Sequence, residues 1–269
     1  MTQSKPSTEQ YPFIAPCKIL HVSSPWQWFK KGMNDVYKAP LASLGYGAVM
    51  ATMILFVTVM AWNFGSAWIM LSMLCCFVFA APLACIGTYA ISAQLERNQP
   101  VSLKRALRAS FKRYIGNELV FALVLLVVFL LWARAHSVIS IFLPANPEYH
   151  LDEMTGYLMS LSFVSVVFLS ITFAASVFSL PMIMHRDVDA VTAVVTSINA
   201  VLRNKVVMMV WGMIIALAIV IGILTAGVAL IFLLPAIGHA VWHGYLETID
   251  AGEFPRHKLG ITAKPRLNR

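Results

Sequence analysis

Two histidines four residues apart are the part of this sequence best placed to do chemistry: His239 and His243, in the run Gly238-His239-Ala240-Val241-Trp242-His243-Gly244-Tyr245-Leu246-Glu247. On a helix that spacing puts both imidazoles, with Glu247 one turn on, along one face, which is how a helix offers two nitrogens to one metal ion or haem iron. His185, followed by Asp187 and Asp189, ends another apolar stretch and would complete a coordination shell, so His239, His243 and His185 are the metal-ligand candidates. The plainer reading has the same rings hydrogen-bonded to neighbouring helices or lipid head groups, with Trp242 and Tyr245 as interfacial anchors. It carries more weight, because an H-x-x-x-H pair without a third ligand fixed by the sequence is a weak motif. The expected cofactor is none, with a metal or haem as the alternative.

Three prolines close related motifs of the form aliphatic-Phe-x-x-Pro: Val78-Phe79-Ala80-Ala81-Pro82, Val177-Phe178-Ser179-Leu180-Pro181 and Ile231-Phe232-Leu233-Leu234-Pro235. Each proline removes an amide donor and frees the carbonyl four residues back, at Val78, Val177 and Ile231. At membrane depth such carbonyls can coordinate cations, although a kink that shapes the bundle is the commoner use. No H-E-x-x-H, G-x-S-x-G or Gly-rich phosphate loop occurs, so no enzyme is expected. Ionisable side chains are nearly absent from the apolar stretches, Glu118 standing close to an entry point, which disfavours an ion-coupled pump. Cys17, Cys75, Cys76 and Cys85 have neither a disulfide nor a zinc pattern and read as small buried hydrophobes.

These residues must be positioned by a membrane-spanning bundle. The 269 residues are 59% hydrophobic and 12% charged, too apolar for a soluble domain. A hydrocarbon core of about 30 Å asks for about 20 apolar residues per helix. Clear stretches cover Pro40–Trp62, Ala67–Ala93, Leu119–Ala135 and Tyr157–Met184. Val206–Tyr245, about 60 Å long as one helix, must fold into two near Thr225–Gly227. The expected fold is all-α, a six-span transmembrane helical bundle with spans at about 40–62, 67–93, 118–138, 157–184, 206–224 and 226–246. They form a single transmembrane domain, 24–250, between a polar N-terminal tail, 1–23, and a basic tail, 251–269.

The polar lead before Pro40 lacks the apolar core of a cleaved signal, so targeting is expected to rest on the first span. All lysines and arginines but Arg134 fall on one side of this topology, which places both termini in the cytoplasm and the protein in a bacterial inner membrane. The net charge of +8 then points to membrane lipids of the anionic inner leaflet rather than to nucleic acid. Each basic residue near that surface contributes about 1 kcal/mol of attraction.

Three cytoplasmic stretches carry helical periodicity. Ser24-Pro25-Trp26-Gln27 reads as a capping box with proline at the first helical position, opening a helix with Trp26, Phe29, Met33 and Val36 as its apolar face and Lys30, Lys31 and Lys38 opposite. The second puts Leu103, Leu107, Phe111 and Tyr114 on one stripe and Lys104, Arg105, Arg108, Lys112 and Arg113 on the other, a basic patch suited to lying flat on the inner leaflet. The third, from Asp189, aligns Val191, Val194, Ile198 and Val201 with fewer charges opposite, which suits burial against the bundle. Each stretch precedes a pair of spans whose second member holds a proline motif. The expected architecture is therefore three repeats of a cytoplasmic amphipathic helix plus a two-helix hairpin, with kinks at Pro82, Pro181 and Pro235.

The run Trp28-Phe29-Lys30-Lys31-Gly32-Met33-Asn34-Asp35 leading to Pro40, the run Arg186-Asp187-Val188-Asp189-Ala190-Val191-Thr192-Ala193 with Ser197, and the ending Leu234-Pro235-Ala236-Ile237-Gly238-His239-Ala240-Val241-Trp242-His243-Gly244-Tyr245 resemble a proteobacterial integral membrane family catalogued as a domain of unknown function. The resemblance covers about Trp26 to Asp250 and implies a class of membrane protein, not an activity. Mitochondrial-type carriers share a plan of three two-span repeats, but their P-x-[DE]-x-x-[KR] signature is absent after Pro82, Pro181 and Pro235. The expected function is a non-enzymatic membrane protein associating with lipid or another membrane complex. The alternatives are a metal- or haem-binding redox subunit using the sixth-span histidines, and a channel or facilitator for an uncharged or amphipathic solute.

Overall fold

A computed structural model describes residues 12–64, 81–102, 115–141 and 151–255. The basic patch Lys104, Arg105, Arg108, Lys112 and Arg113, the pair Cys75 and Cys76, and the first part of the 67–93 span lie outside the described residues. The elements among the described residues are helices: α1 (Ser24–Lys38), α2 (Pro40–Phe64), α3 (Ile86–Glu96), α4 (Ile115–Ser140), α5 (Leu151–Ser176), α6 (Ser179–His185), α7 (Ala190–Arg203), α8 (Lys205–Leu224) and α9 (Leu230–Thr248). Four segments among them are long and apolar enough to cross a membrane: Pro40–Met60, Gly116–Ile139, Thr155–His185 and Lys205–Leu224. At 20 residues α8 is about 30 Å long, a full hydrocarbon core. These helices leave large apolar side chains exposed, among them Leu123, Phe163, Met213 and Leu217, as a lipid-facing surface requires.

Local chemistry sets where the helices break. Ala39 precedes Pro40, whose ring disfavours the helical conformation in the residue before it, so α1 stops and α2 restarts after one residue with φ −133° and ψ 57°. α7 and α8 meet across a single residue as well, Asn204, whose Nδ2 donates to Ala200 O and Lys18 O while its Oδ1 accepts from Leu20 N–H. α8 and α9 are joined by a turn at 225–229 in which Gly227, at φ +87°, takes the left-handed conformation that glycine alone adopts freely. The Thr225 hydroxyl braces this turn, donating to Ile221 O and accepting from Ala229 N–H.

A neighbouring element lies against the backbone near each proline. Beside Pro82 the helix breaks at Cys85, where the Tyr46 hydroxyl of α2 donates to Ala84 O (2.5 Å) and accepts from Gly87 N–H (3.3 Å). Before Pro181, α5 and α6 part at Val177–Phe178. There the Ser197 hydroxyl of α7 donates to Ala174 O (2.8 Å) and accepts from Phe178 N–H (3.2 Å). Pro235 lies inside α9, and the carbonyl it frees, Ile231 O, is covered by the backbone of Gly47, leaving no room there for a Cβ. Two of the three breaks are thus bridged by a hydroxyl from another helix, and at the third a glycine lets two backbones meet.

The ends of the described chain meet. Lys18 N–H donates to Thr248 O (2.8 Å) and Asp250 N–H to Pro16 O (2.9 Å), an antiparallel bridge around Cys17 and Ile249. The same end holds the return of the middle helices, with Arg186 Nη1 donating to Phe254 O and Asp187 N–H to Pro255 O.

Two expectations for α1 are corrected. The capping box does not form: the helix starts at Ser24, Ser23 offers no side-chain cap, and Ser24 Oγ donates to Glu247 instead. The buried face is Ser24, Pro25, Trp28, Gly32, Asp35 and Val36, whereas Trp26 is 54% exposed and Phe29 and Met33 are only half-buried. The stripe of large apolar residues overlaps the buried face at Val36, and Phe29 packs against the core from its edge. α7 does bury against the bundle, but through Thr192, Ala193, Thr196, Ser197 and Ala200, leaving Val191 54% exposed.

Candidate functional site: a buried polar seam

α9 runs polar where α1 lies against it, and the two fit backbone to backbone at Gly32, where an added Cβ would meet Ala240 N at 2.8 Å. Close approach brings side chains of four helices within hydrogen-bond reach. Asp35 of α1, 4% exposed, accepts at Oδ2 from Ser92 Oγ of α3 (2.7 Å) and from His243 Nε2 of α9 (2.9 Å). Ser92 has one hydroxyl hydrogen and gives it to Asp35, so His239 Nδ1, 2.7 Å from Ser92 Oγ, must be the donor of that pair. A neutral imidazole then presents Nε2 as an acceptor, and Ser43 Oγ of α2, 3.0 Å away, donates to it. The hydrogen bonds therefore fix the His239 tautomer.

Glu247 continues the seam one turn along α9. Its Oε1 accepts from Ser24 Oγ (2.8 Å) and its Oε2 from Trp28 Nε1 (2.9 Å), with Lys31 Nζ at 4.0 Å. Trp28 is fully buried, edge-on to Trp211 (5.8 Å between centroids) and to Phe178 (6.2 Å), over Gly244, where a larger residue would collide with the indole. Thr88 packs against Gly238 beside His239 and turns its hydroxyl to Cys85 O. Burial alone would raise the Asp35 carboxyl, but the hydrogen bonds from His243 and Ser92 outweigh it and hold the group below its ordinary value.

The single face expected of His239, His243 and Glu247 does exist, and it is turned onto α1 and α2. Both ring nitrogens of His239 are engaged by hydroxyls and His243 Nε2 by Asp35. His185 stands apart, Nδ1 2.9 Å from Tyr245 OH and its ring against Trp242 and Tyr245, while Trp242 Nε1 donates to Glu96. Among the described residues no group of three or more His, Cys, Asp or Glu side chains is arranged to hold a metal ion. A metal on His239 would have to displace Ser43 or Ser92. The order Ser43, His239, Ser92, Asp35 is that of a hydroxyl, an imidazole, a second hydroxyl and an acid, so the imidazole does not touch the carboxylate. With Ser43 and His239 fully buried, what it achieves is to hydrogen-bond a buried carboxylate while tying α1, α2, α3 and α9 together.

Sequence reasoning missed Asp35, Ser43, Thr88 and Ser92, and Gly32 and Gly47, which make room for them. The available signal was small residues at helical spacing, Ser43 with Gly47 and Gly32 one turn before Asp35, which marks close backbone approach rather than an apolar face. Glu118 is buried at the start of α4 with Oε1 lacking a hydrogen-bond partner. Pro82, Pro181 and Pro235 do not converge on a common ligand site, each being served by its own neighbour.

No curated protein and no solved structure matches this chain. The three runs that carry the sequence resemblance lie almost wholly outside the stretch that a family model matches, whereas Thr88, Ser92, α4, α5 and α6 lie within it. Four apolar helices of spanning length accord with that family's description, and over residues 69–185 this integral membrane protein matches the family described as "Predicted integral membrane protein (DUF2189)", a domain of unknown function.

Proposed function

We propose that the protein is a non-enzymatic, six-span scaffold of the bacterial inner membrane, built as three repeats of a cytoplasmic helix and a two-helix hairpin, which associates with lipid or another membrane complex. The observation that carries this reading is the buried seam. The side chains best suited to chemistry, Asp35, His239, His243 and Glu247, are spent on joining helices, while the surfaces left open are apolar belts and basic residues.

Several contacts support three out-and-back passes. α1 and α2 are joined across Ala39 as α7 and α8 are across Asn204. α2 leaves the seam and α3 rejoins it at Ser92; α5 and α6 return to α9 beside the seam, where His185 meets Tyr245; α8 leaves and α9 returns. The pairing of residues 16–18 with 248–250 supports an even number of crossings. The charge asymmetry supports a cytoplasmic location for this end. Reporter fusions after Phe64 and Asn146 should report the periplasm, and a cytoplasmic report at either position removes the six-span topology. Charge reversal at Lys104, Arg105 and Arg108 should weaken co-flotation of the purified protein's 97–115 peptide with anionic vesicles; unchanged flotation would count against lipid association through that stretch.

A further inference from the structure

Between α2, the turn at Ala81–Cys85 and α9 lies a cavity of about 170 Å³. Close approaches fix the spacing of its walls: Gly47 against Ile231 and Pro235, Tyr46 against Gly87, and Thr88 against Gly238. Between these fixed points Met50, Met53, Ala84 and Leu234 do not fill the space. Two hydroxyls stand at its edge, and both are spent, Tyr46 on Ala84 O and Thr88 on Cys85 O. A water there would lack the two to four partners it needs, and apolar cavities of this size, roughly 150 Å³, stay dry and take up small hydrocarbons. Flexible thioethers at Met50 and Met53 give walls that adapt to a guest of variable shape.

The cavity is continuous with the lipid-facing surface, because Met53 is 56% exposed and belongs to the Pro40–Met60 segment. We propose that this cavity is a binding site for the acyl chain of a membrane phospholipid, entered from the bilayer past Met53. The proposal deepens the lipid-associating reading and rests on one part of it, that Pro40–Met60 lies in hydrocarbon. A bound chain would pack one turn from the seam, since Tyr46 follows Ser43, Thr88 precedes Ser92 and Pro235 precedes His239 by three or four residues. It would fill the gap between helices that the seam joins at one end only.

The test uses the full chain in phosphatidylcholine vesicles doped with a phosphatidylcholine carrying a chain-terminal diazirine. After photolysis, peptides containing Met50 and Met53 should be labelled at least about threefold more than those containing Leu123 and Phe163, which sample bulk lipid. Ala84→Leu, or Met50→Phe should the first variant fold poorly, fills the cavity and should bring that labelling down to the bulk level without lowering the thermal midpoint. Wild-type labelling at Met50 no higher than at Leu123 and Phe163, or an excess that survives both filling variants, would overturn the site while leaving membrane insertion intact. Absence of label from Leu123 and Phe163 as well would sink the insertion on which both readings rest.

Discussion

The polar seam and the apolar belt use the same side chains to opposite ends. In the belt, the hydroxyls of Thr58, Ser160 and Ser170 donate to the carbonyl four residues back in their own helix. In the seam, Ser24, Ser43 and Ser92 reach a different helix, as Ser197 does at the α5–α6 break. A hydroxyl that closes on its own helix adds nothing to tertiary specificity, whereas one that crosses fixes the register of two elements. The difference teaches where the fold is specified: the belt is free to slide against lipid, and the seam sets which helix faces which.

Breaking the carboxylate at the centre of the seam should have the largest effect. Asp35→Ala or His243→Ala should each cost about 3 kcal/mol of stability in denaturant unfolding from mixed micelles, because either leaves a buried polar partner uncompensated. The double variant should cost clearly less than the sum of the two, since they share one interaction. Ser170→Ala in the belt should stay within about 0.5 kcal/mol, and a cost equal to that of Asp35→Ala would erase the distinction between the regions.

Next comes Gly32→Val, which forces a side chain onto the α9 backbone at Ala240 and should destabilise by about 2 kcal/mol in the same assay. Ser197→Ala removes one hydroxyl that serves both sides of the α5–α6 break and should cost about 1 kcal/mol, with faster hydrogen exchange at the Phe178 amide as its local signature. The smallest effect is on pH. Because the folded value of Asp35 is depressed, its contribution is full above the ordinary value of 3.8 and is lost as pH falls through the lower folded value. Acid titration should therefore narrow the gap between wild type and Asp35→Asn below that pH; a gap independent of pH would show that the carboxylate is not held by charge-assisted bonds.

Much of the all-helical architecture was legible, because four apolar segments of spanning length announce themselves by composition alone. α9 was harder to class: its N-terminal half reads as a span, but His239, His243 and Glu247 give its other half a polar face that matches α1 rather than lipid. The seam was legible as a cluster of His239, His243 and Glu247 on one face, with hydrogen bonding to neighbouring helices as the weightier reading and a metal as the alternative. Helical spacing correctly put His239 and His243 on one face, but spacing cannot say what that face meets, and Asp35 and Ser92 lie 208 and 147 residues away from their partners. The faces of α1 and α7 were only partly legible, for one physical reason. Periodicity finds where large apolar side chains line up, while at a close helix–helix contact the buried face is the one with glycine, alanine, serine and threonine.

The distance along the chain between the two sides of the seam also has a consequence in time. α1 carries Asp35 and Trp28, yet His243 and Glu247, to which they bond, follow more than 200 residues later. At synthesis rates of about 5–20 residues per second, α1 precedes them by roughly ten to forty seconds. Until then Ser92 is the only seam partner that Asp35 can have, and the arrival of α9 supplies the second bond to the carboxylate and the acceptor for the Trp28 indole.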